Sequence, residues 1–130
     1  MSLVRYFAPP IPLSSEKNIT KSLRQVLEWH SWNTKAEFTL PFGAIDLVAW
    51  NDKNILLYEV KHNACFNELV QALGQILVYR EQIKEDGRKI RALIHTRSPK
   101  ISKEQHDFLE RVFAKHNVEF DASFCEGELE

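Results

Sequence analysis

Residues 42–61 constrain this chain more than any other stretch. Phe42-Gly43-Ala44-Ile45-Asp46-Leu47-Val48-Ala49-Trp50 runs into a polar break, Asn51-Asp52-Lys53-Asn54, and then into Ile55-Leu56-Leu57-Tyr58-Glu59-Val60-Lys61. Two apolar runs around a four-residue polar turn predict a β-hairpin. Both runs are almost continuously apolar, the pattern of strands covered by helices on both faces. Asp46 and Glu59 nevertheless lie inside them. A carboxylate in a sheet core is costly unless something pairs with it, and a divalent cation suits a clustered pair. Residues two apart on a strand share a face, so Glu59 and Lys61 project together while Val60 turns away. Asp46 joins them if the hairpin register permits. Two carboxylates and one ammonium on a common face suit phosphodiester hydrolysis: the acids hold Mg²⁺, and the lysine orients or helps deprotonate the attacking water. The same residues also fit an ordinary hairpin with a salt bridge at its rim.

The flanking segments predict what covers the hairpin. Pro9, Pro10 and Pro12 keep residues 1–15 out of a helix and predict an extended arm, with Ser14 or Ser15 as the N-cap of the first helix. Residues 16–32 predict that helix, with Ile19, Leu23, Val26, Leu27 and His30 along one side. Glu16 falls on that side and Glu28 nearly opposite. Residues 35–41 predict a short strand ended by Pro41. A second helix is expected over 66–85, with a stripe of Phe66, Leu69, Val70, Leu73, Ile76, Leu77 and Ile83, ended by Asp86-Gly87. Gln71, Gln75 and Tyr79 line another of its sides. A buried strand over 90–97, a helix over 102–116 with Phe108, Leu109, Val112 and Phe113 on one side, and a short strand at 118–120 complete the order α-β-β-β-α-β-α-β. That order predicts an α/β fold: a central mixed β-sheet flanked by helices, with a right-handed crossover after the meander. Trp29, Trp32 and Trp50 are expected in the core or at an interface.

The 130 residues suit one domain, expected over 16–121, with an acidic, disordered tail over 122–130. No apolar run is long enough to cross a bilayer, and no basic segment leads into an apolar one at the N-terminus. No membrane partner and a cytoplasmic location are the expectations. Cys65 and Cys125 form no CxxC or Cys/His cluster, so no zinc or iron–sulfur site is expected, and a reducing compartment is the simpler assumption. The net charge of −1 argues against indiscriminate nucleic-acid binding but leaves room for a local basic patch. Arg80, Arg97 and Lys100 lie near the ends of elements flanking the proposed site and read equally as phosphate contacts or solvated charges, whereas His62, directly after Lys61, reads as a surface or structural residue before a phosphate contact.

Taken together, these residues resemble the PD-(D/E)XK nucleases, which share an αβββαβ core and include restriction endonucleases, Holliday-junction resolvases and RecB-type exonucleases. The resemblance rests on Ile45-Asp46-Leu47-Val48 on the second strand and Glu59-Val60-Lys61 on the third. It is extended by Gln75-Ile76-Leu77-Val78-Tyr79, similar to the Gln-hydrophobic-x-x-Tyr motif of RecB-type members. It spans about residues 16–97. Ile45 stands where the motif has proline. The resemblance implies a Mg²⁺- or Mn²⁺-dependent deoxyribonuclease acting on DNA. Asp46, Glu59 and the Val60 carbonyl would hold the metal, and Lys61 would position the water. Gln75 and Tyr79 would support the site or touch the DNA backbone, and Glu16 would supply a first-helix acid. It also implies a homodimer or a larger protein partner. A non-catalytic nucleic-acid- or protein-binding module with the same fold is the alternative, as is a nuclease subunit of a larger defence, repair or mobile-element assembly.

Overall fold

The computed structural model describes residues 15–124. Its elements are α1 (Glu16–Trp29), β1 (Asn33–Leu40), β2 (Gly43–Trp50), β3 (Asn54–His62), α2 (Phe66–Glu81), β4 (Lys89–Arg97), α3 (Lys103–Lys115) and β5 (Val118–Ser123). The strands form one five-stranded sheet in the order β1-β2-β3-β4-β5. β1, β2 and β3 pair antiparallel, while β4 joins β3 and β5 joins β4 in parallel. The fold is therefore α/β, a mixed sheet flanked by three helices. The parallel steps need long crossovers, and α2 and α3 supply them.

Each face of the sheet has its own core. Ile19, Leu23 and Leu27 of α1 pack with Leu47, Ala49, Leu56, Tyr58, Val60 and Leu93. Leu69, Leu73 and Ile76 of α2 and Leu109 and Phe113 of α3 pack with Ile45, Val48, Leu57, Ile94 and Phe120. Burying each such side chain contributes roughly 1.5–3 kcal/mol. β3 is buried continuously from Ile55 to Val60, which is why its sequence shows no polar alternation. The helices start where their caps lie: Ser15 Oγ accepts from the Asn18 N–H, and Ser102 with Gln105 forms a capping box.

β1 is an edge strand, and Asn33, Lys35, Glu37 and Thr39 along it are exposed. Its ladder to β2 is regular except at one place. Ala36 pairs with Leu47 and Phe38 with Ile45, but Glu37, at φ +51°, does not pair with Asp46.

Several expectations change. α1 ends at Trp29 rather than residue 32, because Ser31 takes a left-handed conformation (φ +68°) and turns the chain into β1. His30 is exposed, outside the predicted stripe, and Trp29 is 84% exposed rather than packed in the core. α2 stops at Glu81, well before Asp86-Gly87, because Gln82 turns to the β1–β2 connection. Its amide accepts from the Phe42 N–H (2.9 Å) and donates to the Phe42 carbonyl (3.1 Å). Val70 and Phe108, both placed on core stripes, lie at their margins and are about half exposed, at 47% and 48%. β5 extends through Ala122 and Ser123, so the domain passes the expected boundary at 121 and these two residues are strand rather than tail. The expected arm over residues 1–14, and the tail residues 125–130 with Cys125, lie outside the described residues; Cys65 is an exposed free thiol.

The β1–β2 turn is built around Gly43. Its φ of +118° suits glycine alone, and a Cβ there would lie 2.5 Å from Cε1 of the Tyr79 ring. Gly43→Ala is expected to destabilise the protein by roughly 1–3 kcal/mol through backbone strain and displacement of that ring. Urea unfolding measures it directly. An unchanged midpoint would mean that the ring is not seated on Gly43.

Candidate active site

The hairpin register decides which side chains meet. Leu47 pairs with Tyr58, Val48 with Leu57, Ala49 with Leu56 and Trp50 with Ile55. Continuing that register places Asp46 beside Glu59 and Val60. Asp46 Oδ2 accepts a hydrogen bond from the Val60 N–H at 2.8 Å. Alternation along β3 points Glu59 and Lys61 to the face of Leu57, the α2 and α3 side, while Tyr58 and Val60 face α1. Asp46, Glu59 and Lys61 therefore form one electrostatic cluster, and each carboxylate feels both other groups.

Glu59 is 4% exposed, and its Oε1 is buried without a hydrogen-bond partner. Burial, and then the neighbouring Asp46 carboxylate, push its pKa from the usual carboxylate range up to about 8; Lys61 partly opposes this. Asp46 is raised as well, chiefly by burial, against the Val60 N–H, the Lys61 charge and a hydrogen bond from Glu59. Without a cation, burial raises both carboxyl groups, so a proton on the pair is favoured over two bare charges. Two partly buried acids and an orphaned carboxylate oxygen suit a hard divalent cation in place of that proton. Among the described residues no group of three or more His, Cys, Asp or Glu side chains is arranged to hold a metal. The side-chain ligands would be Asp46 and Glu59, with the Val60 carbonyl, water or a phosphate oxygen completing the set.

The other predicted residues take different places. Glu16, exposed in the first turn of α1, is near enough for its charge to act on Glu59. Tyr79 is partly buried and meets Gly43, three positions before Asp46, so it supports the hairpin rather than touching the carboxylates. Gln75 is exposed one helical turn earlier. Arg80 donates to the carbonyls of His116 and Asn117 and so caps the end of α3.

Three residues that sequence reasoning left unassigned belong to these surroundings. Glu37, opposite Asp46 at the break in the β1 ladder, adds to the charge that raises Asp46. Glu68 caps α2 by accepting from the Cys65 N–H at 3.0 Å and lies within electrostatic reach of Lys61. Thr96 is level with Lys61 in the parallel β3–β4 register and on the same face, and its buried Oγ1 has no partner. Polar–apolar alternation in β1 was a weak available signal for Glu37; the β3–β4 register has none in the sequence.

Comparison with protein-family models gives no match, and comparison with curated proteins gives none either. Among the described residues no helix is long and apolar enough to cross a membrane.

Proposed function

We propose that this chain is a metal-dependent deoxyribonuclease of the PD-(D/E)XK type, hydrolysing DNA phosphodiesters with Mg²⁺ or Mn²⁺. The observation that carries the reading is that the register sets Asp46 beside Glu59 in the sheet, with Glu59 Oε1 buried and unpartnered and Lys61 within electrostatic reach of both. The order α1-β1-β2-β3-α2-β4 also agrees with the αβββαβ core of those nucleases. A bound divalent cation would supply Lewis-acid charge at the phosphate and the attacking water. Asp46 and Glu59 hold it, with the Val60 carbonyl. Lys61 orients the water and offsets charge that grows on the phosphate oxygens. Glu16 adds negative charge on the α1 side, and Tyr79 packs against Gly43 at the start of the strand that carries Asp46, while exposed Gln75 is free to meet the DNA backbone. A domain of this size covers little duplex, so two copies, or one copy within a larger assembly, would act on two strands.

The test is incubation of the purified chain with Mg²⁺ or Mn²⁺ and linear, nicked or branched DNA. Cleavage that chelation abolishes is expected. DNA binding without cutting, unchanged by Lys61→Ala, would instead identify a binding module. Cutting that appears only with an added partner would identify a subunit.

A further inference from the structure

The carboxyl ends of β3, β4 and β5 carry a second polar group, on the α1 side of the sheet. His62, Arg97 and Ser123 are aligned across the three strands: His62 is level with Arg97, and Arg97 with Ser123. Their common face follows from alternation. Val60 on β3 and Leu93 on β4 belong to the α1-side core, while Phe120 on β5 belongs to the other. One step earlier on this face, His95 Nδ1 and Asp121 Oδ2 are 2.9 Å apart, which fixes the orientation of both strands.

Arg97 is only 3% exposed, yet among the described residues its Nη1 meets no hydrogen-bond acceptor and its guanidinium forms no ion pair. Asp121, two residues before Ser123 on this face of β5, is engaged by His95. Ser123 Oγ is buried and unpartnered as well. A guanidinium cannot shed its proton to escape burial, so an uncompensated one is a strong demand for an anion. Immediately after β3 and β4, Asn63 and Ser98 take left-handed conformations (φ +53° and +50°), which turn the chain out of the sheet. From there the chain runs on toward α2 and α3, away from this face.

We propose that Arg97, His62 and Ser123 form a phosphate-binding site, on the opposite face of β3 from Glu59 and Lys61. Arg97 is its floor, and the part-exposed His62 and Ser123 are its rim. A guanidinium, a hydroxyl and an imidazole N–H converge on a tetrahedral anion with several acceptor oxygens. The phosphate belongs either to a DNA backbone or to a free nucleotide. The site does not depend on the chain being a nuclease.

The experiment uses the full chain, without divalent metal. Inorganic phosphate is titrated against ¹⁵N-arginine-labelled protein, with the Arg97 Nε–Hε resonance assigned from the spectrum of Arg97→Lys. A saturable shift of that resonance and a raised thermal midpoint are expected, and Arg97→Met should show no rise. The same response to chloride at equal ionic strength, or no saturable shift, overturns the site. A second arm measures binding to a short duplex in EDTA over a range of salt. A salt slope reduced by about one in Arg97→Met, with several-fold weaker binding, supports a backbone phosphate. An unchanged slope beside an intact phosphate response supports a nucleotide phosphate. If Arg97→Met fails to fold, the wild-type titration still decides. All readouts are metal-free, so absence of DNA cleavage leaves them unaffected.

Discussion

Lys61→Ala is expected to lower Mg²⁺-dependent DNA cleavage by roughly 10²–10⁴-fold, the range for a positioned group acting on the attacking water and on transition-state charge. Lys61 is partly exposed at the end of β3 and fills no core position, so far-UV circular dichroism should be unchanged. Its charge also opposes the burial that raises Asp46 and Glu59 and, at Glu59, the repulsion from Asp46. Its loss should therefore leave metal affinity intact or slightly increased while cleavage falls. Mn²⁺ titration calorimetry beside a cleavage time course separates the two effects. Parallel losses of metal binding and cleavage would assign Lys61 a structural role and remove it from the chemistry.

Glu59→Gln is expected to make the metal-free protein more stable at alkaline pH. Glu59 titrates near 4.5 when unfolded and at about 8 when folded. Between those values the folded state holds a proton that the unfolded state has released. Stability from this group is therefore complete below about pH 4.5 and is lost as pH rises through about 8. The loss is a few kcal/mol, since one pKa unit corresponds to about 1.36 kcal/mol and Asp46 shares the proton. Glutamine keeps the shape and removes the charge. The difference in unfolding free energy between Glu59→Gln and wild type should grow from pH 5 to pH 9, with EDTA present. Mg²⁺ should stabilise the wild type more at pH 8.5 than at pH 6, because binding displaces that proton, and should do little for the variant. A difference that stays flat with pH would mean that Glu59 is ionised without metal and that the pair is not mutually strained.

The outline of the fold was legible because its signals are local. Periodicity marks the helices, apolar runs mark β2 and β3, and a short polar turn joins them; the register that brings Asp46 to Glu59 and Val60 was left open by the sequence and comes from the structure. What was not legible depends on contacts distant in sequence. α2 stops early because the Gln82 amide reaches the Phe42 backbone, forty residues away. Thr96 reaches the level of Lys61 only through a parallel crossover, and Arg97 sinks to the sheet surface rather than into solvent for the same reason. Periodicity gave the direction of Val70 and Phe108 but not the width of the surface covering them. Tyr79 was expected to support the site or touch the DNA backbone; its contact with Gly43 is invisible without knowing where the β1–β2 turn lies.

The outer border of the sheet has a bearing on assembly. β1 presents charged and polar side chains to solvent, and its backbone departs from the extended form at Glu37. Such a margin is a poor template for another chain's backbone, because the donor–acceptor row is interrupted midway and exposed charged side chains flank the break. Two molecules joining there into one continuous ten-stranded sheet is therefore disfavoured. A pair that forms in solution should meet through helices or loops, and the β1 border should protect the protein against fibril growth from that side.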